Sequence, residues 1–261
     1  ERVRHYQKGD LVVRSTVGKN EKYASAWGAF CEYGIVVDYH AMAAQGQDVS
    51  RATIGLMQRV FPPGIGPVEA AVMITLKEVY SAFSRMDISP EDTVLLVGDG
   101  PVALSMLLIG EMLGLPKMRL LGQNKKTMAL AKAMGAASVH SDLCPKEKAA
   151  LLSKWRGKVT RYIDTVGLPE TIRQGQAFLA PDGVICVYGL RSGEALHMPL
   201  EGMRNWGIRF FQWPIHAKEG AAHEDVCRGV LEKRLNPTRL ISHLLPIEAY
   251  EEGFALIRDK E

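Results

Sequence analysis

Gly98-Asp99-Gly100-Pro101-Val102-Ala103 lies between an unbroken apolar run, Thr93-Val94-Leu95-Leu96-Val97, and a stretch of helical composition from Pro101 to Leu113. A G-x-G-x-x-A spacing between strand and helix is what a main-chain phosphate cradle needs. The first glycine permits a tight turn, and the second lets the backbone approach a diphosphate. The small third residue lets the helix pack closely on the strand. The helix start adds unpaired N–H donors and a partial positive charge. The chemistry implied is the binding of a dinucleotide by its pyrophosphate. Asp99 fits this least well, because a carboxylate near a pyrophosphate is repelled. The middle position of such a turn is expected to point it outward.

A ribose 2′-hydroxyl is held by Asp or Glu at the end of the second strand, about 20 residues past the glycines. Here that strand ends Leu121-Gly122-Gln123-Asn124-Lys125-Lys126. The acid is absent, Gly122 makes room, and two lysines follow. A 2′-phosphate carries roughly two negative charges, needs space, and pairs with lysine or amide donors. The pattern favours NADP(H) over NAD(H). The alternative is that Lys125 and Lys126 form only a solvated first turn, where they oppose the helix dipole.

Positioning these residues requires strands and helices in alternation. Helices are expected over 68–83, 101–113, 125–134, 146–155 and 169–179. Strands are expected over 93–97, 118–121, 138–140, 162–164 and 183–188. Pro101 suits a first helical position, and Gly114 and Gly135 suit helix ends. This alternation predicts βαβ units and an α/β fold, a doubly wound parallel sheet of Rossmann type. Residues 1–60 differ in texture: Leu11-Val12-Val13-Arg14 and Glu32-Tyr33-Gly34-Ile35-Val36-Val37 read as short strands of a β-rich domain. Phe61-Pro62-Pro63-Gly64-Ile65-Gly66-Pro67 is a breaker cluster and a boundary. After 213 come a helix around His223 to Lys233 and a last helix from Ile247 to Asp259. The expected organisation is a partial β-rich domain over 1–67, a cofactor domain over 68–213, and a return to the first domain over 214–261.

The 261 residues, 47% hydrophobic and 23% charged, suffice for two modest domains. A net charge of +3 with dispersed basic residues is no nucleic-acid footprint. The longest apolar stretch, from Val102 to Leu115, is interrupted by Ser105, Gly110, Glu111 and Gly114 and falls short of the ~18 residues that span a bilayer. Glu1-Arg2-Val3-Arg4-His5 is no signal-peptide core. Cys31, Cys144, Cys186 and Cys227 form no CxxC pair, and are expected to be reduced, packed thiols of a cytoplasmic protein.

In order and spacing, a series of segments resembles the medium-chain dehydrogenase/reductase superfamily, the zinc-type alcohol and polyol dehydrogenases. Lys8-Gly9-Asp10-Leu11-Val12-Val13 resembles its "GD-x-V" strand, and Gly28-Ala29-Phe30-Cys31-Glu32-Tyr33 its "GGFAEY" segment. Ile88 to Val102 resembles its approach to the glycine loop. Leu130-Ala131-Lys132-Ala133-Met134-Gly135-Ala136 resembles "LAkelGA", and Ile163-Asp164-Thr165-Val166-Gly167 the "D-x-(V/T)G" turn. Leu179 to Gly189 and Ile241 to Phe254 resemble its last cofactor strand and C-terminal motif. The resemblance implies a Rossmann domain with part of a GroES-like substrate domain, and hydride transfer between a secondary alcohol and a nicotinamide. It implies that Gly98, Gly100, Pro101 and Val102 hold the pyrophosphate, and that Gly122, Asn124 and Lys125 lie near the 2′-phosphate. Val166, Gly167, Tyr188, Gly189 and the strand Arg209-Phe210-Phe211 would line the nicotinamide. It further implies a homodimer formed through that last strand, and a small-molecule substrate such as a sugar or polyol.

The pattern departs from the family in two places. The family's domain begins well before its "GD-x-V" strand, so the chain reads as an excerpt of a longer protein, without the segment expected to carry a Cys and the "GHE" zinc ligands. The four-cysteine structural-zinc loop is replaced by Arg14 to Trp27, and the third catalytic-ligand position falls near Ile74 or Thr75. Neither is a usual zinc ligand. Glu69 and Glu78 share that helix but sit about a turn off register. No metal ligand and no catalytic side chain is assigned, and whether zinc is used stays open. A zinc-independent quinone or enoyl reductase and a non-catalytic NADP-binding relative are the alternatives. His40, His197, His216, His223 and His243 are scattered singletons read as surface or capping residues. Trp206, Phe210, Phe211 and Trp213 read as sheet core and dimer edge.

Overall fold

A computed structural model of the chain describes residues 3–17, 33–49, 53–190, 193–198, 205–213 and 215–259. It divides into two compact units, Thr75–Leu235, and Glu1–Ile74 together with Asn236–Glu261. The first division falls inside helix α2 (Pro67–Met86), which follows the short helix α1 (Tyr39–Ala44).

The Thr75–Leu235 unit is a six-stranded parallel sheet: β1 (Val94–Val97), β2 (Arg119–Gly122), β3 (Ser138–Ser141), β4 (Val159–Asp164), β5 (Leu179–Val187) and β6 (Gly207–Phe210). Their spatial order is β3-β2-β1-β4-β5-β6. That order defines the doubly wound fold expected from the alternation, with a switch point between β1 and β4. Every residue of β1 is buried, because both faces are covered. Leu96 pairs with Leu120 on one side and Ile163 on the other. Helices α3 (Pro101–Met112), α4 (Lys125–Ala133), α5 (Pro145–Trp155) and α6 (Pro169–Gly175) connect the strands. The apolar stretch after Pro101 is α3, buried from Ala103 through Gly110. A helix that is apolar all round belongs inside a core. Among the described residues no helix is long and apolar enough to cross a membrane.

Three expectations about elements change. Helix α6 ends at Gly175 rather than Leu179, because Phe178 N–H turns back to the Gly175 carbonyl and β5 begins at Leu179. Strand β5 incorporates Pro181-Asp182-Gly183 by a register shift beside Val159 and Arg161, with Asp182 at φ 59°. Helix α7 (His216–Leu231) groups with the sheet, so the division lies at 235/236, whereas the sequence placed it at 213/214. Its Ala222, Val226 and Cys227 are buried, and its Asp225 accepts from the Tyr80 hydroxyl of α2 at 2.7 Å. Burial and that carboxylate push the Tyr80 phenol up to about 12.

The other unit contains the expected β-rich segments. Their described residues form two isolated antiparallel bridges, Val12 with Val60 and Thr16 with Ile35, rather than ladders. Between the two bridges, Arg14 takes φ 67°. Asp38 caps α1 and accepts from the N–H groups of Arg4, His5 and Ala41 at 2.6, 2.9 and 2.9 Å. Burial pushes its carboxyl up, but those backbone donors outweigh the effect and hold it well below the usual range. The expected C-terminal helix is a single turn of 3₁₀ helix, Ile247–Ala249, followed by α8 (Tyr250–Asp259). Of the "GGFAEY"-like segment, Gly28 to Glu32 lie outside the described residues.

Candidate functional site: the carboxyl ends of the strands

At the switch point, Gly98 turns the chain with φ 107° and donates its N–H to the Leu121 carbonyl at 2.9 Å. A side chain here would collide with the Thr165 hydroxyl. Gly100 is the N-cap of α3, with Pro101 following at the first helical position and no side chain capping the end. The N–H groups of Val102 and Ala103 have no carbonyl behind them, as at any helix start. A Cβ built on Gly100 meets nothing within 4 Å. Ala103, the small third residue of the fingerprint, is fully buried between helix and sheet. The opening of α3 is therefore an exposed, positively polarised set of donors with space in front of it. It fits a diphosphate.

The end of β4 builds the second part. Asp164 is fully buried, and its carboxylate accepts from Gly167 N–H and the Thr171 hydroxyl, both at 2.7 Å. Burial raises its pKa, and the two donors partly offset that. Its backbone carbonyl receives the N–H groups of Tyr188 and Gly189 at 2.8 and 2.9 Å, so the turns after β4 and β5 are locked to one residue. Gly167 takes φ 80°, and the Gly167 and Gly189 main chains touch.

Four residues assigned from the sequence, Val102, Tyr188, Gly189 and Phe211, meet in one cleft of about 230 Å³. Val166 and Gly167 form the adjoining turn. Glu78, Arg85, Thr165 and Gln212 also line the cleft. The sequence reading assigned none of these four to the site. Glu78 and Arg85 both lie on α2, and the two helical turns between them bring both to the cleft. Arg85 lies over the Phe211 ring, 5.5 Å from its centroid, and burial lowers its pKa. Gln212 donates to the Gly189 carbonyl at 2.6 Å. No local signal marks Arg85 or Gln212.

The third part, at the end of β2, differs from expectation. Asp99 does not point outward. Its Oδ2 accepts from the N–H groups of Gln123 and Asn124 at 2.9 and 2.6 Å. The room read at Gly122 is taken by Asp99, whose Cβ and Oδ2 would stand 2.8 Å from an added Cβ. Asn124 spends its side-chain oxygen on capping α4, accepting from Lys126 and Thr127 N–H at 2.8 and 3.2 Å. Lys125 is exposed.

No group of three His, Cys, Asp or Glu among the described residues could hold a metal ion. Ile74 and Thr75 lie on α2 as aligned, and none of the five histidines lines the cleft. His223 is buried beside Cys227, its Nε2 3.6 Å from the sulfur, and His243 contacts the Ser242 hydroxyl at 3.0 Å. Cys144, Cys186 and Cys227 are free thiols.

No family model matches the chain. In sequence it is 27% identical to L-idonate 5-dehydrogenase of Vitis vinifera over 51% of this chain and 38% of that protein. It is 30% identical to geraniol dehydrogenase of Castellaniella defragrans over 44% and 31%. In fold it superposes on an alcohol dehydrogenase from Thermus sp. ATN1 with TM-score 0.65 and 21% identity, covering 78% of this chain and 60% of that one. An alcohol dehydrogenase from E. coli CFT073 complexed with NADH gives 0.68 and 16%, over 77% and 58%. A zinc-binding dehydrogenase from Sinorhizobium meliloti 1021 bound to NADP gives 0.61 and 18%, over 71% and 54%. The sequence relatives are named as alcohol and polyol-type dehydrogenases, and the solved structures, themselves dehydrogenases, share the fold. The neighbours take either nicotinamide dinucleotide. The chain spans about a third of the two curated relatives' length and less than two thirds of each structure.

Proposed function

We propose that this chain carries the cofactor half of a nicotinamide-dependent dehydrogenase that interconverts a secondary alcohol and its ketone. The observation that supports this most is the open start of α3 at the switch point, beside a cleft at the carboxyl ends of β1, β4 and β5. Bound there, a nicotinamide dinucleotide supplies or accepts the hydride, and the protein's part is to bind, orient and exclude water. Gly100, Pro101, Val102 and Ala103 hold the diphosphate by main-chain donors. Asp164 fixes the turns that carry Val166, Gly167, Tyr188 and Gly189, and these with Phe211 give the ring a flat floor. Glu78, Arg85 and Tyr188 supply the polar groups of the cleft. Relatives named for L-idonate, sorbitol and geraniol support an alcohol as substrate, a sugar acid in the first case and a polyol in the second. At the ribose end, Gly122 and Lys125 favour a 2′-phosphate and the Asp99 carboxylate disfavours it.

Calorimetric titration of the full chain with NADH and NADPH tests the reading, followed by turnover on secondary alcohols, quinones and enones with whichever binds. Micromolar binding of a coenzyme by this chain is expected, and any turnover is expected to be of alcohols. Turnover of quinones alone transfers the chain to the reductase class, and binding of neither coenzyme removes the redox reading.

The same reasoning extends to assembly and compartment. β6 forms one edge of the sheet, its outer side pairs with no strand among the described residues, and Phe210 is 56% exposed. Such an edge is a template for a twin strand. We infer a homodimer through it, working in the cytoplasm, where free thiols persist. Sedimentation should give a dimer that Phe210→Glu converts to monomer, and a wild-type monomer at micromolar concentration sinks the inference.

A further inference from the structure

The acid missing from the end of β2 has a counterpart 24 residues earlier. Asp99 Oδ2 is held by the amides of Gln123 and Asn124 at 2.9 and 2.6 Å, which brings its carboxylate against Gly122, where the ribose-binding acid of a doubly wound fold acts. Its second oxygen, Oδ1, accepts no hydrogen bond from the described residues. One oxygen is thus fixed by the main chain, and the other is left to accept from a hydroxyl. The two amides are also the natural donors for a phosphate at the mouth of α4, and they are already occupied by an anion. The cations nearby, Lys125 and Lys126, have exposed side chains, where solvent and salt screen their charge. A fixed carboxylate outweighs them.

We infer that Asp99 is the coenzyme-selecting residue: it receives the adenosine ribose hydroxyls and repels a 2′-phosphate, so the chain takes NAD(H) and not NADP(H). This rests on the dinucleotide reading above and reverses the preference drawn from Gly122 and Lys125. A 2′-phosphate brings roughly two negative charges to a place where Asp99 already occupies both the space and the donors. With Asp99 shortened to serine, the space beside Gly122 opens and the amides of Gln123 and Asn124 are freed for the phosphate.

The test is calorimetric binding of NADH, NADPH, ADP-ribose and 2′-phospho-ADP-ribose to the full chain and to Asp99→Ser and Asp99→Asn. Wild type is expected to bind NADH at least tenfold more tightly than NADPH, with the same preference between the two fragments. Asp99→Ser is expected to shift the ratio at least tenfold toward the phosphorylated ligands, mainly through tighter NADPH binding. A merely structural role would weaken all four ligands together. If Asp99→Ser melts before measurement, Asp99→Asn keeps an acceptor for the amides, removes the charge, and is expected to move the ratio in the same direction. Tighter NADPH binding by wild type, or a ratio unchanged by the substitutions, overturns the inference and leaves the dinucleotide reading intact. Binding of none of the four ligands removes that reading and the inference with it.

Discussion

Gly189→Ala is expected to lower the stability of the Thr75–Leu235 unit by about 3 kcal/mol or more, the upper end of overpacking costs. A methyl at Gly189 would stand 2.6 Å from Val166 N and closer still to Gly167 N and Val166 C. A methyl at Gly167 would in turn meet the Gly189 carbonyl carbon and oxygen at 2.6 and 2.7 Å. All these atoms are main chain, so no change of rotamer relieves the overlap. The turns after β4 and β5 must separate, and both are tied to Asp164. Denaturant unfolding measures the loss. Gly207→Ala is the control, since its nearest neighbour is 3.9 Å away and it should leave stability unchanged or slightly raised. A Gly189→Ala protein as stable as wild type would mean that the two turns do not touch, and the floor under the nicotinamide would have to be redrawn.

Gly100→Ala should behave in the opposite way. Gly100 has φ −76° and ψ −179°, backbone that any residue adopts, and its Cβ direction is empty. Folding stability should stay within about 1 kcal/mol of wild type, the difference between glycine and alanine as an N-cap. Coenzyme affinity should fall about 100-fold, or ~2.7 kcal/mol, because the methyl fills the space through which a diphosphate reaches the Val102 and Ala103 amides. Paired unfolding and titration experiments separate the two effects. Unchanged affinity in a normally folded variant would show that no diphosphate lies on α3, and the dehydrogenase reading would lose its support.

The contrast between these two glycines shows where sequence reasoning stops. Both belong to recognisable motifs, and both were assigned to the cofactor. Only packing shows that one is glycine because another loop touches it and the other because nothing does. Asp99 is the sharper case. Its place within the phosphate loop was legible, but its direction was not, because it is set by two amides 24 and 25 residues away. The same holds for Arg85 and Gln212, which reach one cleft from α2 and from the segment after β6. The short apolar pieces near Val12 and Ile35 read as strands from composition, but a strand exists only where a partner runs beside it, and among the described residues these make isolated bridges.

Local chemistry by itself determined the alternation of buried strands and helices between Pro67 and Asp164 and the glycine turn at 98–100, on which the proposed ligand class rests. Apolar runs, prolines at helix starts and positive-φ glycines act over a few residues, so they can be read in order along the chain. Tertiary structure alone decided which polar groups share the cleft, that α7 belongs to the unit that contains the sheet, and that Asp99 turns onto the amides of Gln123 and Asn124. Those outcomes depend on which distant segments become neighbours, and spacing along the chain does not encode the direction of a side chain across a crossover.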